Sequence, residues 1–131
     1  MNNFAARQIV LNDIGELFAW EDRGDYCEIS TPFLDPSNDY IHLYCRFLKG
    51  ELVVCDFAET TTYLEMQMAP NTLTDKHMKQ IERVCRSLDL EFHDGEILGR
   101  CSPDDSLAES IIDVAQASIR IAAIWESERA A

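Results

Sequence analysis

Six carboxylates in the first half of the chain lie on or beside segments that alternate like strands: Asp25, Glu28, Asp35, Asp39, Asp56 and Glu59. Carboxylates from adjacent strands can converge on Mg²⁺, which then activates water against a phosphodiester. The candidate set for that chemistry is Asp25, Asp39 and Asp56, and it requires that two or three of them reach one ion. Such a site usually adds a lysine, and the strand segments offer only Lys49, at a turn tip. The densest acidic stretch, "TPFLDPSNDY" over residues 31–40, has the chemistry of a turn. Pro36 presets φ, and Asp35 and Asn38 can bond local backbone amides. It has no glycine for the sharp bend of a calcium loop. Asp56 is also placed to cap the helix that follows it. Gly-rich phosphate loops, the nucleophile-elbow serine motif and the zinc-peptidase helix motif are all missing from the sequence.

The other side chains able to ligate or attack are five cysteines (27, 45, 55, 85 and 101) and three histidines (42, 77 and 93). An odd cysteine count, wide spacings and no Cys-x-x-Cys pair predict reduced, mostly buried thiols. Zinc is the sharper alternative. His42 and Cys45 stand three apart on a strand, so they point to opposite faces, and no spacing matches a zinc arrangement. His93 has no serine or cysteine placed to be its nucleophile and reads as the shoulder of a hairpin. Neither a metal nor a cofactor is expected.

Charge narrows the partners. The 131 residues include 24 acids and 11 bases, for a net −13. The excess runs through both halves, −8 over residues 1–66 and −5 over 67–131. That field repels phosphate backbones, so direct nucleic-acid binding is not expected; a host protein with a basic surface is. The longest apolar runs are a few residues, too short to span a membrane, and the N-terminus lacks the pattern of a secretory signal. The cytosol of the host cell is the expected compartment.

The elements that must position these side chains follow from periodicity. Residues 5–22 read as a helix with Val10, Ile14, Leu17 and Phe18 on one stripe, broken by a turn at 23–25. Residues 26–31 alternate as a strand that Pro32 limits. Residues 39–57 form a hairpin turning on Lys49-Gly50, with Leu48 opposite Glu51 and Leu43 opposite Asp56. One face carries Leu43, Cys45, Phe47, Leu52 and Val54, which is core material. The other carries Tyr40, His42, Tyr44, Arg46, Val53 and Cys55, the better face for contacts. The expected partner-binding set is Asp35, Asp39, Tyr40, His42, Tyr44 and Arg46. A short helix over 59–67 ends before Pro70. A longer one over 72–88 is capped by Thr72 with Asp75 three positions on. Residues 90–101 form a second hairpin on Asp94-Gly95. Ser102 and Pro103 then start a last helix whose stripe is Leu107, Ile111, Val114, Ala115, Ser118, Ala122 and Trp125. The fold class is α+β, a single domain with an antiparallel sheet of about five strands packed by three main helices.

Residues 24–47 and 52–66 resemble the small phage and bacterial family catalogued as domain of unknown function 1828. Gly24, Asp25, Tyr26, Glu28, Ile29, Thr31, Pro32, Phe33, Leu34, Asp35, Asn38, Asp39 and Tyr40 carry the likeness. After Asp56 the chain departs from it: Phe57-Ala58-Glu59 stands where members tend to show a second acid and a glycine. The resemblance covers about the first half and implies small size, carriage on phages and mobile elements, and no established reaction.

The expected function is that of a non-enzymatic acidic interaction protein that binds a host complex, a candidate anti-defence or DNA-mimic inhibitor such as an anti-CRISPR. The alternatives are a metal-dependent phosphodiesterase or nuclease using Asp25, Asp39 and Asp56, and a structural homodimer without catalysis. Lys76, Lys79, Arg83 and Arg86 share one helix face and are expected to meet carboxylates such as Asp105, Glu109 and Asp113 of the same chain or its twin. Charge reversal at Arg83 and Arg86 is expected to loosen a dimer or lower the melting temperature mainly at low salt, read by sedimentation and thermal unfolding.

Overall fold

Alternating side chains on either side of Lys49-Gly50 build the central hairpin of a six-stranded antiparallel sheet in the computed structural model, which describes residues 2–101 and 106–130 (side chains of 129 and 130 excepted). In chain order the elements are α1 (Asn3–Glu16), β1 (Ala19–Asp22), β2 (Cys27–Leu34), β3 (Tyr40–Leu48), β4 (Glu51–Cys55), α2 (Glu59–Gln67), α3 (Asp75–Ser87), β5 (Glu91–His93), β6 (Glu96–Cys101), α4 (Leu107–Ala122) and α5 (Ile124–Ala130). Across the sheet the strands run β1-β2-β3-β4-β6-β5. The class is α+β.

Both hairpins turn where expected. Leu48 pairs with Glu51 and Cys45 with Val54, and Lys49 and Gly50 take φ of 52° and 80°. His93 pairs with Glu96 across Asp94 and Gly95, at 51° and 83°. Two consecutive left-handed residues match the twist of the flanking strands. One sheet face, with Ile29, Leu43, Cys45, Val54 and Ile97, packs against Leu64 of α2, Ile81 and Cys85 of α3, and Val114, Ala115 and Ile121 of α4. On the opposite face Tyr44, Val53, Cys55 and Leu98 are covered by Tyr26 and Phe57. Tyr44 stacks on Phe57 at 4.2 Å between ring centroids, and Tyr26 meets Phe57 edge-on at 5.0 Å.

Several local expectations are corrected. The first helix stops at Glu16, and residues 19–22 are a strand: Ala19 to Asp22 pair with Ser30 to Cys27 around a turn at Gly24. A free sheet edge outweighs helical periodicity there, because the ladder satisfies backbone groups that fraying helix would leave to water. Pro32 does not end β2. The register shifts between Ser30 and Leu34, and Thr31 Oγ1 donates to the Ile41 carbonyl while accepting the Phe33 amide, so a bulge carries the strand past the missing donor. Phe47, placed in the core by alternation, is 76% exposed because it lies beyond the helices that cover that face. The α3 cap is Thr74, not Thr72; its hydroxyl accepts the His77 amide while His77 Nδ1 accepts the Thr74 amide. Ser102, Pro103 and Asp105 lie outside the described residues, and α4 is capped by Ser106, whose hydroxyl accepts the Glu109 amide. Trp125 belongs to the separate α5.

Helix α4 comes close to the sheet at Gly99, where an added Cβ would lie 3.2 Å from both Leu90 Cδ2 and Val114 Cγ2. Gly99→Leu is therefore expected to destabilise the protein by about 1–3 kcal/mol, the usual range for overpacking a filled core. Urea unfolding checks this.

Candidate functional site

Asp56 is the residue from which the site is built. It follows the last residue of β4 on the core-facing side and is 2% exposed. The next two residues, Phe57 and Ala58, take φ of 52° and 62°, which turns the chain sharply into α2. Asp56 Oδ1 accepts the amides of Ala58 (3.1 Å) and Ile97 (2.9 Å), and Oδ2 accepts that of Thr60 (3.2 Å). Burial pushes its carboxyl up from the ordinary value, against these hydrogen bonds, which pull it down. The expectation that Asp56 caps the next helix is met, with the addition that it also reaches β6.

Beside Asp56 lies a cleft of about 90 Å³. Its walls come from Asp35, Tyr40, Ile41 and His42, from Glu59, Thr60 and Tyr63 on α2, and from Ser118 and Ala122 on α4. The walls are tied together. Thr60 and Ser118 share a hydroxyl hydrogen bond of 2.7 Å, and Tyr44 donates its phenol to Glu59 Oε1 at 2.6 Å. Tyr63 Oη accepts from Ser37 Oγ (3.0 Å) and from Trp125 Nε1 (3.2 Å), linking the 35–39 turn to α2 and α5. Burial first, and Glu59 second, push the Tyr44 phenol well up, so it stays a donor at neutral pH. Asp35 Oδ1 accepts the amides of Ser37 and Asp39, which is the turn chemistry read from the sequence. Among the described residues Asp35 Oδ2 and Glu59 Oε2 have no hydrogen bond. Two of the residues that line the cleft, Asp35 and Glu59, thus each keep one carboxylate oxygen without a hydrogen bond among the described residues, beside Tyr40 and His42.

Of the sequence-derived partner set, Asp35, Tyr40 and His42 line the cleft, and Asp39 is exposed on the adjoining turn. Tyr44 and Arg46 are corrected. Tyr44 is buried in the aromatic stack, and Arg46 lies 5.4 Å from the Phe57 ring centre and 3.4 Å from Glu96. Both serve the fold. Thr60, Tyr63 and Ser118 were not singled out as site residues, and Glu59 only as one of six carboxylates on or beside the strands. Glu59 and Tyr63, four apart on α2, carried the available signal: one helical face beginning three residues after Asp56.

The three-aspartate metal site is also corrected. Cys27 pairs with Cys45, which places Asp25 level with Phe47, while Asp39 precedes β3 at its other end. Eight residues of strand put them roughly 25 Å apart, beyond any shared ion or two-metal pair. No group of three His, Cys, Asp or Glu among the described residues could hold an ion. Four of the five cysteines are buried. Burial raises Cys45, Cys55 and Cys85 to about 11, 12 and 11, so none of these three supplies a thiolate nucleophile at neutral pH. Lys76, Lys79, Arg83 and Arg86 are all exposed on α3. None forms an ion pair among the described residues, Glu109 and Asp113 included; Asp105 lies outside the described residues.

The sequence profile of the family described as Domain of unknown function DUF1828 matches residues 31–121. The match begins after Gly24 to Ile29 and runs through β6 into α4, further than the first-half likeness seen in the sequence. Neither a curated protein nor a solved structure matches the chain. No helix among the described residues is long and apolar enough to cross a membrane.

Asp56→Ala leaves three amides without their acceptor and is expected to cost about 2–4 kcal/mol, whereas Asp56→Asn keeps one acceptor oxygen and costs about 1–2 kcal/mol. Because the folded protein binds the Asp56 proton more tightly than the unfolded chain does, its contribution is fully present in acid. It is lost as pH rises through the raised folded value. Denaturant melts across the acid range are expected to show a flatter profile for Asp56→Asn than for the wild type.

Proposed function

The chain belongs to the DUF1828 family, and we propose that it is a non-enzymatic acidic interaction protein of a phage or mobile element, acting in the host cytosol. Its partner is a host complex with a basic surface, and the cleft beside Asp56 receives one arginine or lysine side chain from it. The observation that carries this reading is that Asp35 and Glu59, each with one carboxylate oxygen unbonded among the described residues, both line a cleft of about 90 Å³. That space suits the head of a side chain; small-molecule pockets run to about 300–1,000 Å³. Planar guanidinium fits two carboxylates and can stack on the neighbouring Tyr40. The net charge of −13 steers a cationic surface toward the chain from a distance, which raises the association rate more than the final affinity. Inhibition of a nucleic-acid-handling or defence complex by occupying its basic surface is the biological form of this reading.

Affinity purification from the native host, followed by titration of the recovered partner, tests it. Asp35→Asn with Glu59→Gln keeps the shape and removes the charge. The double variant is expected to bind at least about tenfold more weakly, 1.4 kcal/mol. Binding of the wild type should also weaken as salt screens the attraction. An affinity unchanged by the double substitution and by salt would sink the proposal.

A further inference from the structure

Helix α1 has 14 residues and buries none of them. Among the described residues no other element packs substantially against it. Isolated helices of this length are marginal in water, and most helical stability in proteins comes from packing one face. The face exists. Phe4, Leu11 and Ile14, followed by Phe18 just past the helix, recur at intervals of seven, three and four, with Val10 and Leu17 beside them. That is the spacing of a helix–helix seam, with Arg7, which is not apolar, at the one seam position between Phe4 and Leu11. Phe4, Val10, Leu11, Ile14 and Leu17 are 49–68% exposed. Ile9, Asn12 and Glu16 take the opposite side and Gln8 flanks the seam, so the helix carries apolar residues on more than one side.

The seam runs off the helix into an apolar groove of about 370 Å³. Ile14, Phe18 and Trp20 form one wall, and Leu107, Ile111 and Ile112 of α4 form another. Trp20 is 54% and Ile112 38% exposed. At these exposures the seam and groove present on the order of 800 Å² of accessible surface, the per-partner area of a stable interface. Charge identifies the occupant. Residues 2–20 hold one base, Arg7, against two acids, Asp13 and Glu16, so nearly all of the −13 lies elsewhere. Two copies of so acidic a chain repel over most of their surface, and least over this one.

We infer that α1 and the groove at its base are a self-association surface, and that the occupant is α1 of a second copy of this chain. The pair covers both seams in one two-fold contact, where residue i of one copy meets residue j of the other and the reverse. It leaves the Asp35–Glu59 cleft outside the contact, so the dimer stands or falls independently of the proposed partner binding.

Sedimentation velocity on the full chain over a concentration series tests this, with circular dichroism to confirm folding. The wild type is expected to be a dimer. Leu11→Glu with Ile14→Glu is expected to be a folded monomer, since α1 buries nothing within its own protomer, and Ile14→Ala alone should weaken association at least about tenfold. Asn12→Glu, on the side away from the seam, should remain dimeric. Raising salt should leave the dimer intact or tighten it, because screening lowers mutual repulsion, whereas partner binding through the acidic cleft should weaken. A wild type that stays monomeric at its highest soluble concentration would overturn the inference, even if α1 captured some other protein. So would a dimer that survives Leu11→Glu with Ile14→Glu, that is lost equally on Asn12→Glu, or that dissociates on added salt.

Discussion

A single buried carboxylate, Asp56, accepts the amides of Ala58, Thr60 and Ile97, and through them it fixes the end of β4, the start of α2 and the start of β6 at one point. The chain there does what side-chain-bearing residues resist, placing Phe57 and then Ala58 in left-handed conformations. Each such residue is sparsely populated and persists where its surroundings over-determine it. The acceptor atoms of Asp56 supply part of that determination, and the packing of Phe57 between Tyr26 and Tyr44 supplies the rest. The direction in which Glu59 and Tyr63 leave α2 follows from this corner, and so does the width of the cleft.

The sheet separates two kinds of work. The helix-covered face is apolar apart from a few satisfied groups such as Thr31, Thr60 and Ser118. The other face is sealed by three aromatic rings and Arg46 instead of a helix. Aromatic rings are economical for this, since a few side chains exclude water from a broad area. The cleft opens where the covering helices meet the 35–39 turn, so its acidic groups reach solvent without crossing the core. Exposed ion pairs such as Arg23 with Glu28 contribute only about 0–1 kcal/mol each. The acidic surface is therefore tolerated by the packing beneath it.

Much of the sheet was legible because strand period and turn chemistry are local. Lys49-Gly50 and Asp94-Gly95 set both hairpin registers, and the first register correctly put Asp56 on the core side. Residues 17–22 were misread because their apolar spacing fits a helix, while the ladder that makes them a strand is supplied by β2, which local pattern does not reveal. Phe47 was misplaced for a similar reason. Alternation gives the face, but the extent of the helical cover decides burial. The site was half legible. Asp35, Tyr40 and His42 came from one stretch of sequence, whereas Ser118 enters through a hydroxyl pair with Thr60, 58 positions away. Contacts at that separation leave no periodic trace.

The margins of the sheet carry a further consequence. One edge is β1, four residues long and exposed throughout, ending in Glu21 and Asp22; the other is β5, three residues long and opening with Glu91. An open strand is a template on which another chain can add its own backbone. Short edges bearing carboxylates offer few ladder positions and repel a strand of like sign. This architecture discourages growth by main-chain pairing, the route to fibres, and confines association to side-chain surfaces that close on themselves.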